Sequence, residues 1–208
     1  MASFREQRAE ERKQQILRTA AELFHTKGYQ STTIEEIANE LKLTKGSLYY
    51  YVNGKEDLLF QCHNLVAQSS IDRLRTIVDS SLNPGQKLSE AVRHHVYYEC
   101  EEISMFNVIE KPAWISSLEI RSQILKQRDE YESIFQQIIA EGIKSGVFAP
   151  VDLKLFRLFL LGTLNSISRW YSPTGKYSKE EIADSFVTYI LGSLSVNPGV
   201  SPSIRSTP

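Results

Sequence analysis

Two short apolar-periodic segments, only two residues apart, constrain this chain more than anything else in its sequence. Thr33-Ile-Glu-Glu36 is a capping-box pattern: the threonine hydroxyl can accept from the backbone at Glu36, and Glu36 can reach back to the threonine N–H. The helix that follows, Ile34 to Leu41, puts Ile34, Ile37, Ala38 and Leu41 on one face. Lys42 and Leu43 then lead straight to Thr44, a second N-cap, and to a helix over Lys45–Tyr51 that stops before the turn dipeptide Asn53-Gly54. Two helices this short, joined this tightly, make a helix-turn-helix, whose second helix can enter a DNA major groove while the first crosses the backbone.

The composition of that second helix fits the geometry. Leu48 and Val52, four apart, can anchor its inner face, leaving Lys45, Gly46, Ser47, Tyr49, Tyr50 and Tyr51 around the other sides. Successive helical residues are about 100° apart, so three consecutive tyrosines cannot all be core. Exposed phenols donate well to phosphate oxygens, and a glycine inside a helix suits a place where a base edge or sugar-phosphate backbone comes close. The plainer alternative is a solvated helical hairpin in an all-α protein. Charge does not decide between them. Residues 1–57 hold nine Lys or Arg and nine Asp or Glu, and the whole chain has a formal net charge of −1.

The rest of the chain is helical in pattern. Ile16, Leu17, Ala20, Leu23 and Phe24 form one face of a helix from Arg8 to Lys27, with Gly28 as its C′ residue. A long helix is expected from Lys55 to Asp79, then helices at 85–104, 105–112, 117–145, 152–171 and 178–195. No segment alternates as a strand would, so the expected class is all-α with about nine helices. The 152–171 helix is apolar on nearly every side, which requires burial on every side. The tail, 197–208, is too polar to pack. Cys62 and Cys100 are too few for a disulfide framework or a cysteine-rich zinc site. Glu22-x-x-His25 has the spacing of a carboxylate-bridged metal site but occurs once, His94 and His95 face different ways, and no HExxH, GxSxG or phosphate-binding glycine loop is present. The sequence therefore predicts no catalytic site, no metal and no cofactor. No apolar run approaches a membrane span and the N-terminus lacks a signal-peptide core, so a cytoplasmic protein without membrane contact is expected.

Residues Ile16 to Leu59 resemble the DNA-binding domain of the TetR family of bacterial transcriptional repressors. The resemblance is carried by the A-x-LF-x-x-x-GY, TT-I-x-x-IA and G-S-LYYY-V segments and by the N-G-K-E-D-LL that follows. It implies a DNA-binding domain over 1–54, an effector-binding and dimerisation domain over 55–196 and a loose tail over 197–208. Base-reading positions fall on Lys45, Gly46, Ser47 and Tyr50, with Thr44 at the head of the same helix, and phosphate-clamping positions on Thr33, Tyr49, Tyr51 and Lys55. The last two helices would pair with those of a second copy, with Leu161 and Ile190 on the shared face. Aromatic and polar residues that interrupt apolar faces mark the effector site: Tyr98, Phe106, Trp114, Arg128, Tyr131, Phe135, Asn165, Arg169 and Trp170. R-x-x-Y at Arg128 and Tyr131, E-G-I-x-x-G-x-F from Glu141 and R-W-Y-x-P-x-G from Arg169 are similar to family members of the fatty-acid and sterol-degradation branch, which bind acyl-CoA thioesters. Arg121, Arg128 or Arg169 would then meet CoA phosphates. The function implied is a homodimeric, ligand-responsive repressor on a palindromic operator, released by a small hydrophobic effector, with a long-chain acyl-CoA the leading candidate. The competing readings are a multidrug-type sensor and a DNA-bound interaction protein. A closed, polar-lined pocket above about 300 Å³ favours a metabolite, and a filled core with an exposed apolar patch favours a protein partner.

Overall fold

The computed structural model describes residues 4–105 and 115–195, and all regular structure among them is helical. The helices are α1 (Phe4–Lys27), α2 (Ile34–Glu40), α3 (Lys45–Tyr49), α4 (Lys55–Val78), α5 (Pro84–Glu101), α6 (Leu118–Lys144), α7 (Leu153–Leu164), α8 (Ile167–Trp170) and α9 (Lys179–Ser193). Local chemistry sets most of their starts. Thr33 and Glu36 close the expected capping box, Asn83 and Gln86 close another with Pro84 in the first turn, and Ser178 and Glu181 a third. Gly28, at φ +87°, ends α1, and Lys42, at φ +54°, turns the chain between α2 and α3.

Two apolar cores are joined by one long helix. The first gathers Ile16, Leu17, Phe24, Ile37, Leu48 and Val52 around Leu58, Leu59, Cys62 and Val66 of α4, together with Met105, Ile115 and Ile124. The second packs Ile71, Leu74 and Ile77 of α4 against α5, α6, α7 and α9. The change from one core to the other therefore falls inside α4, between Val66 and Ile71. Phe148 covers Gly142 so closely that a Cβ there would stand 2.0 Å from the ring, which fixes the turn after α6.

The expected 152–171 helix is broken. α7 ends at Leu164, and beyond it Ser166 Oγ donates back to Thr163 O at 2.7 Å. The chain resumes as α8 where the buried Glu99 carboxylate takes the Ser168 N–H at 2.8 Å. The apolar ring of α7 is also only half covered: Phe156, Leu160, Leu161 and Leu164 face inward, while Leu155, Leu158 and Phe159 are 65%, 53% and 54% exposed. Leu161 and Ile190, expected on a face shared with a second copy, are instead buried in the chain's own core. The recognition helix ends at Tyr49, two residues early, and the 85–104 helix at Glu101. The expected 105–112 helix beyond Met105, Phe106, Trp114 and the 197–208 tail lie outside the described residues. No helix among the described residues is long and apolar enough to cross a membrane.

Candidate nucleic-acid interface and effector cavity

α3 stands on its inner residues and leaves the rest in solvent. Leu48 and Val52 are buried, whereas Thr44, Lys45, Gly46, Ser47, Tyr49 and Tyr50 are exposed, Tyr50 to 83%. Thr44 caps the helix by accepting from Ser47 N at 3.1 Å, and the Thr44 and Ser47 hydroxyls lie 2.8 Å apart. A Cβ on Gly46 would meet only Thr44 Oγ1, at 3.9 Å, so nothing within the chain requires a glycine there. Lys45 is ion-paired across the turn with Glu35 of α2, which lowers the carboxyl's pKa and raises the ammonium's. Thr33 is exposed at the head of α2. Tyr51 is half-buried, edge-on to Tyr50 at 5.2 Å between ring centroids.

Lys55 has a structural role that the sequence did not announce. Its ammonium donates to Thr32 O at 2.8 Å and Gln30 O at 3.2 Å, and lies 4.4 Å from the centre of the Tyr29 ring. It thereby pins the α1–α2 loop to the start of α4, and its partial burial pulls its pKa down.

The larger half holds a partly open cavity of about 100 Å³ between α4 and α6, with α5 and α7 contributing to its walls. His63, Val66, Ala67 and Ser70 line it from α4; Gln127, Arg128, Tyr131 and Glu132 from α6; His95 from α5; and Leu161 and Asn165 from the end of α7. Of the expected effector residues, Arg128, Tyr131 and Asn165 come together here. Phe135 packs behind them, fully buried and edge-on to Tyr131 with centroids 5.4 Å apart. Tyr98 instead lies in a separate groove beside α4, its ring stacked on His94 at 5.6 Å. Arg169 and Trp170 are exposed and do not reach the cavity, nor does Arg121, whose Nε donates to Ile115 O at 2.5 Å.

The cavity walls carry polar groups outside the expected effector set. His63 Nδ1 and Gln127 Oε1 are buried without a partner of hydrogen-bonding geometry, although Gln127 sits near enough to favour the protonated ring. His95 Nδ1 lies 2.6 Å from the Tyr131 hydroxyl, and His95 Nε2 lies 2.9 Å from Glu99. A signal for these residues existed: His63 and Ser70 fall on the same helical stripe as Leu59 and Val66, and His95 and Glu99 are four apart on the buried face of α5.

Two imidazoles are held neutral. Burial, aided by Arg128, brings His63 from 6.5 to about 4. Burial beside His95 brings His94 from 6.5 to about 4. Unfolded histidines gain protons as pH falls below 6.5, whereas these two stay neutral until about 4. The unfolded state then binds more protons, so stability is expected to fall with pH across that window, by about 3 kcal/mol per histidine at full effect. Urea midpoints at neutral pH and at the bottom of the window test this, and His63→Gln should flatten the slope.

An exposed, capped recognition helix carried on a second, cavity-bearing helical domain defines a helix-turn-helix regulator. Residues 16–62 match the family model of bacterial regulatory proteins of the tetR family, and residues 81–194 match the tetracyclin repressor-like C-terminal domain. The chain belongs to the TetR family of transcriptional regulators and is not an enzyme. It is similar to the HTH-type transcriptional repressor KstR2 of Mycobacterium tuberculosis, 26% identical over 195 residues that span 88% of this chain and 92% of that protein. Among solved structures it is similar to the TetR-family regulator PfmR of Thermus thermophilus, with a TM-score of 0.80 at 29% identity, covering 86% of this chain and 98% of that one. It is also similar to AibR, solved in complex with isovaleryl coenzyme A and operator DNA, with a TM-score of 0.77 at 26% identity, covering 88% of this chain and 100% of that one.

Proposed function

We propose that this chain is a homodimeric repressor whose 1–54 segment binds a palindromic operator and whose 55–196 segment senses a short-chain acyl-CoA. The cavity between α4 and α6 carries the effector reading. At about 100 Å³ it is smaller than the roughly 300 Å³ of an ordinary metabolite pocket and nearer the roughly 150 Å³ that admits a benzene-sized guest. That volume suits a short or branched acyl group. Arg128, exposed at the cavity, offers a cation to a CoA phosphate. The AibR complex with isovaleryl coenzyme A supports the same class. Titrating short-chain acyl-CoAs into the protein–operator complex tests the reading. Release of DNA is the expected result; release by hydrophobic cations, with no response to any acyl-CoA, would make this a multidrug-type sensor instead.

For DNA, Thr33, Thr44, Tyr49 and Tyr51 are assigned to phosphates and Lys45, Gly46, Ser47 and Tyr50 to bases, with half-sites one helical turn apart, about 34–36 Å, or a multiple of it. Tyr49→Phe removes one phosphate donor and should weaken binding to all sequences by about 1 kcal/mol, roughly fivefold, whereas Ser47→Ala should change preference between sequences. Gly46→Ala separates folding from recognition: thermal stability should rise by about 0.5–1 kcal/mol while operator binding falls. Glu35→Gln frees Lys45 and should tighten binding generally. A Gly46→Ala variant that binds normally would remove that residue from the interface.

The outward face of α7, with Leu155, Leu158 and Phe159, is the surface we assign to the second copy, joined by Tyr189 of α9, which is 70% exposed.

A further inference from the structure

Glu99 is fully buried, and among the described residues its one ion-pairing partner is His95. One carboxylate oxygen accepts from Ser168 N at 2.8 Å, and the other lies 2.9 Å from His95 Nε2. Beyond the ring, His95 Nδ1 lies 2.6 Å from the Tyr131 oxygen.

A net charge at this depth is costly, and a pair that is neutral overall holds one proton between its members. If that proton is on the ring, both nitrogens are N–H: Nε2–H donates to Glu99 and Nδ1–H to Tyr131. If it is on the carboxyl, the O–H donates to Nε2 and the ring's remaining proton sits on Nδ1. Either way the Tyr131 oxygen accepts from His95. Its own O–H is then free, and the hydroxyl has no other protein partner among the described residues. Burial pushes the phenol's pKa up, which keeps that proton in place.

We propose that the Glu99–His95 pair is neutral overall and thereby makes Tyr131 an obligate hydrogen-bond donor into the cavity, so that it selects effectors carrying an acceptor oxygen such as a thioester carbonyl. This rests on the cavity being the effector site. Tyr131 is the group that touches the ligand; His95 and Glu99 are positioning residues.

The test uses isovaleryl-CoA and its thioether analogue, S-(3-methylbutyl)-CoA, which lacks only the carbonyl oxygen. By calorimetry the wild-type protein should prefer the thioester about tenfold. Tyr131→Phe should bind both probes with the thioether's affinity. Glu99→Leu frees the ring to adopt the tautomer whose Nδ1 accepts from the Tyr131 O–H, and should lose the preference. Glu99→Gln should recover it, because its amide donates to Nε2 and its oxygen still accepts from Ser168 N–H. Independently of any ligand, nitrogen NMR of labelled histidine should find His95 Nδ1 protonated, even if a variant folds poorly. Equal binding of the two probes by wild type, or a preference that survives Tyr131→Phe, overturns the selectivity. An unprotonated Nδ1 overturns the donor assignment. If neither probe binds, the effector reading falls and the selectivity falls with it, while the ring proton still decides the donor geometry.

Discussion

Leu158→Arg is expected to produce a folded monomer that no longer protects an operator. α7 is apolar around most of its circumference, yet Leu155, Leu158 and Phe159 are open to solvent in a single chain. A helix patterned this way calls for cover on both sides, and a twofold pair of chains supplies it by burying the same face twice. An arginine there meets its counterpart's apolar surface with no anion to pair with. An uncompensated buried charge costs about 3–5 kcal/mol, and twofold symmetry imposes it on both copies. The dimer dissociation constant should therefore rise by more than about a thousandfold. Sedimentation reads the assembly, circular dichroism confirms the fold, and footprinting reads the loss of a two-half-site contact. Leu161→Arg would not serve, because Leu161 is 6% exposed, lines the cavity and would take the fold with it. Leu158→Arg dimers with wild-type affinity would place the interface elsewhere.

What could be read from the sequence was what is encoded locally. The Thr33–Glu36 box, the Thr44 cap and the Leu48–Val52 anchor lie within a few residues of what they control, and the structure forms all three. Where partners are distant in sequence, the reading was incomplete. The break between α7 and α8 depends on Glu99 of another helix reaching Ser168 N, and no pattern in 152–171 records that. Lys55 sits at the start of a helix, where phosphate contact is a fair expectation, but its ammonium is drawn back onto the Gln30 and Thr32 carbonyls and the Tyr29 ring. Aromatic interruptions of apolar faces selected both Tyr131, which lines the cavity, and Tyr98, which lies in another groove. A cavity is made by missing volume. Ala67 and Ser70 create space on α4 by being small, and small residues leave no mark in a search for large ones.

Glu56→Ala is expected to separate effector binding from operator release. α4 runs through both cores, its first turn against the DNA-binding helices and its later turns along the cavity. It is tied to α6 at three levels. Glu56 accepts from Ser117 N at 2.8 Å and Ser116 Oγ at 2.9 Å, which places a carboxylate at the N-terminus of α6. Gln127 donates to Asn64 at 2.7 Å beside the cavity, and Arg75 pairs with Glu130 further along. A ligand larger than about 100 Å³ must part α4 from α6 at the middle level. The end beyond Ile71 is held by the second core, so the displacement falls on the end that carries α3, and Glu56 obliges that end to follow α6. Weakening operator binding a hundredfold takes about 2.7 kcal/mol of coupling, within the usual range for two linked sites. Coupling is reciprocal, so operator DNA should weaken acyl-CoA binding by the same hundredfold in the wild-type protein. Glu56 lies outside the cavity, so Glu56→Ala should bind acyl-CoA normally in the absence of DNA while both the release and its reciprocal shrink towards unity. Calorimetry with and without operator measures both directions. If the hundredfold effect survives in Glu56→Ala, the signal travels by the other bridge between the halves, Arg18 of α1 with Glu102 at the end of α5, 2.8 Å apart, and Arg18→Ala becomes the variant that loses it.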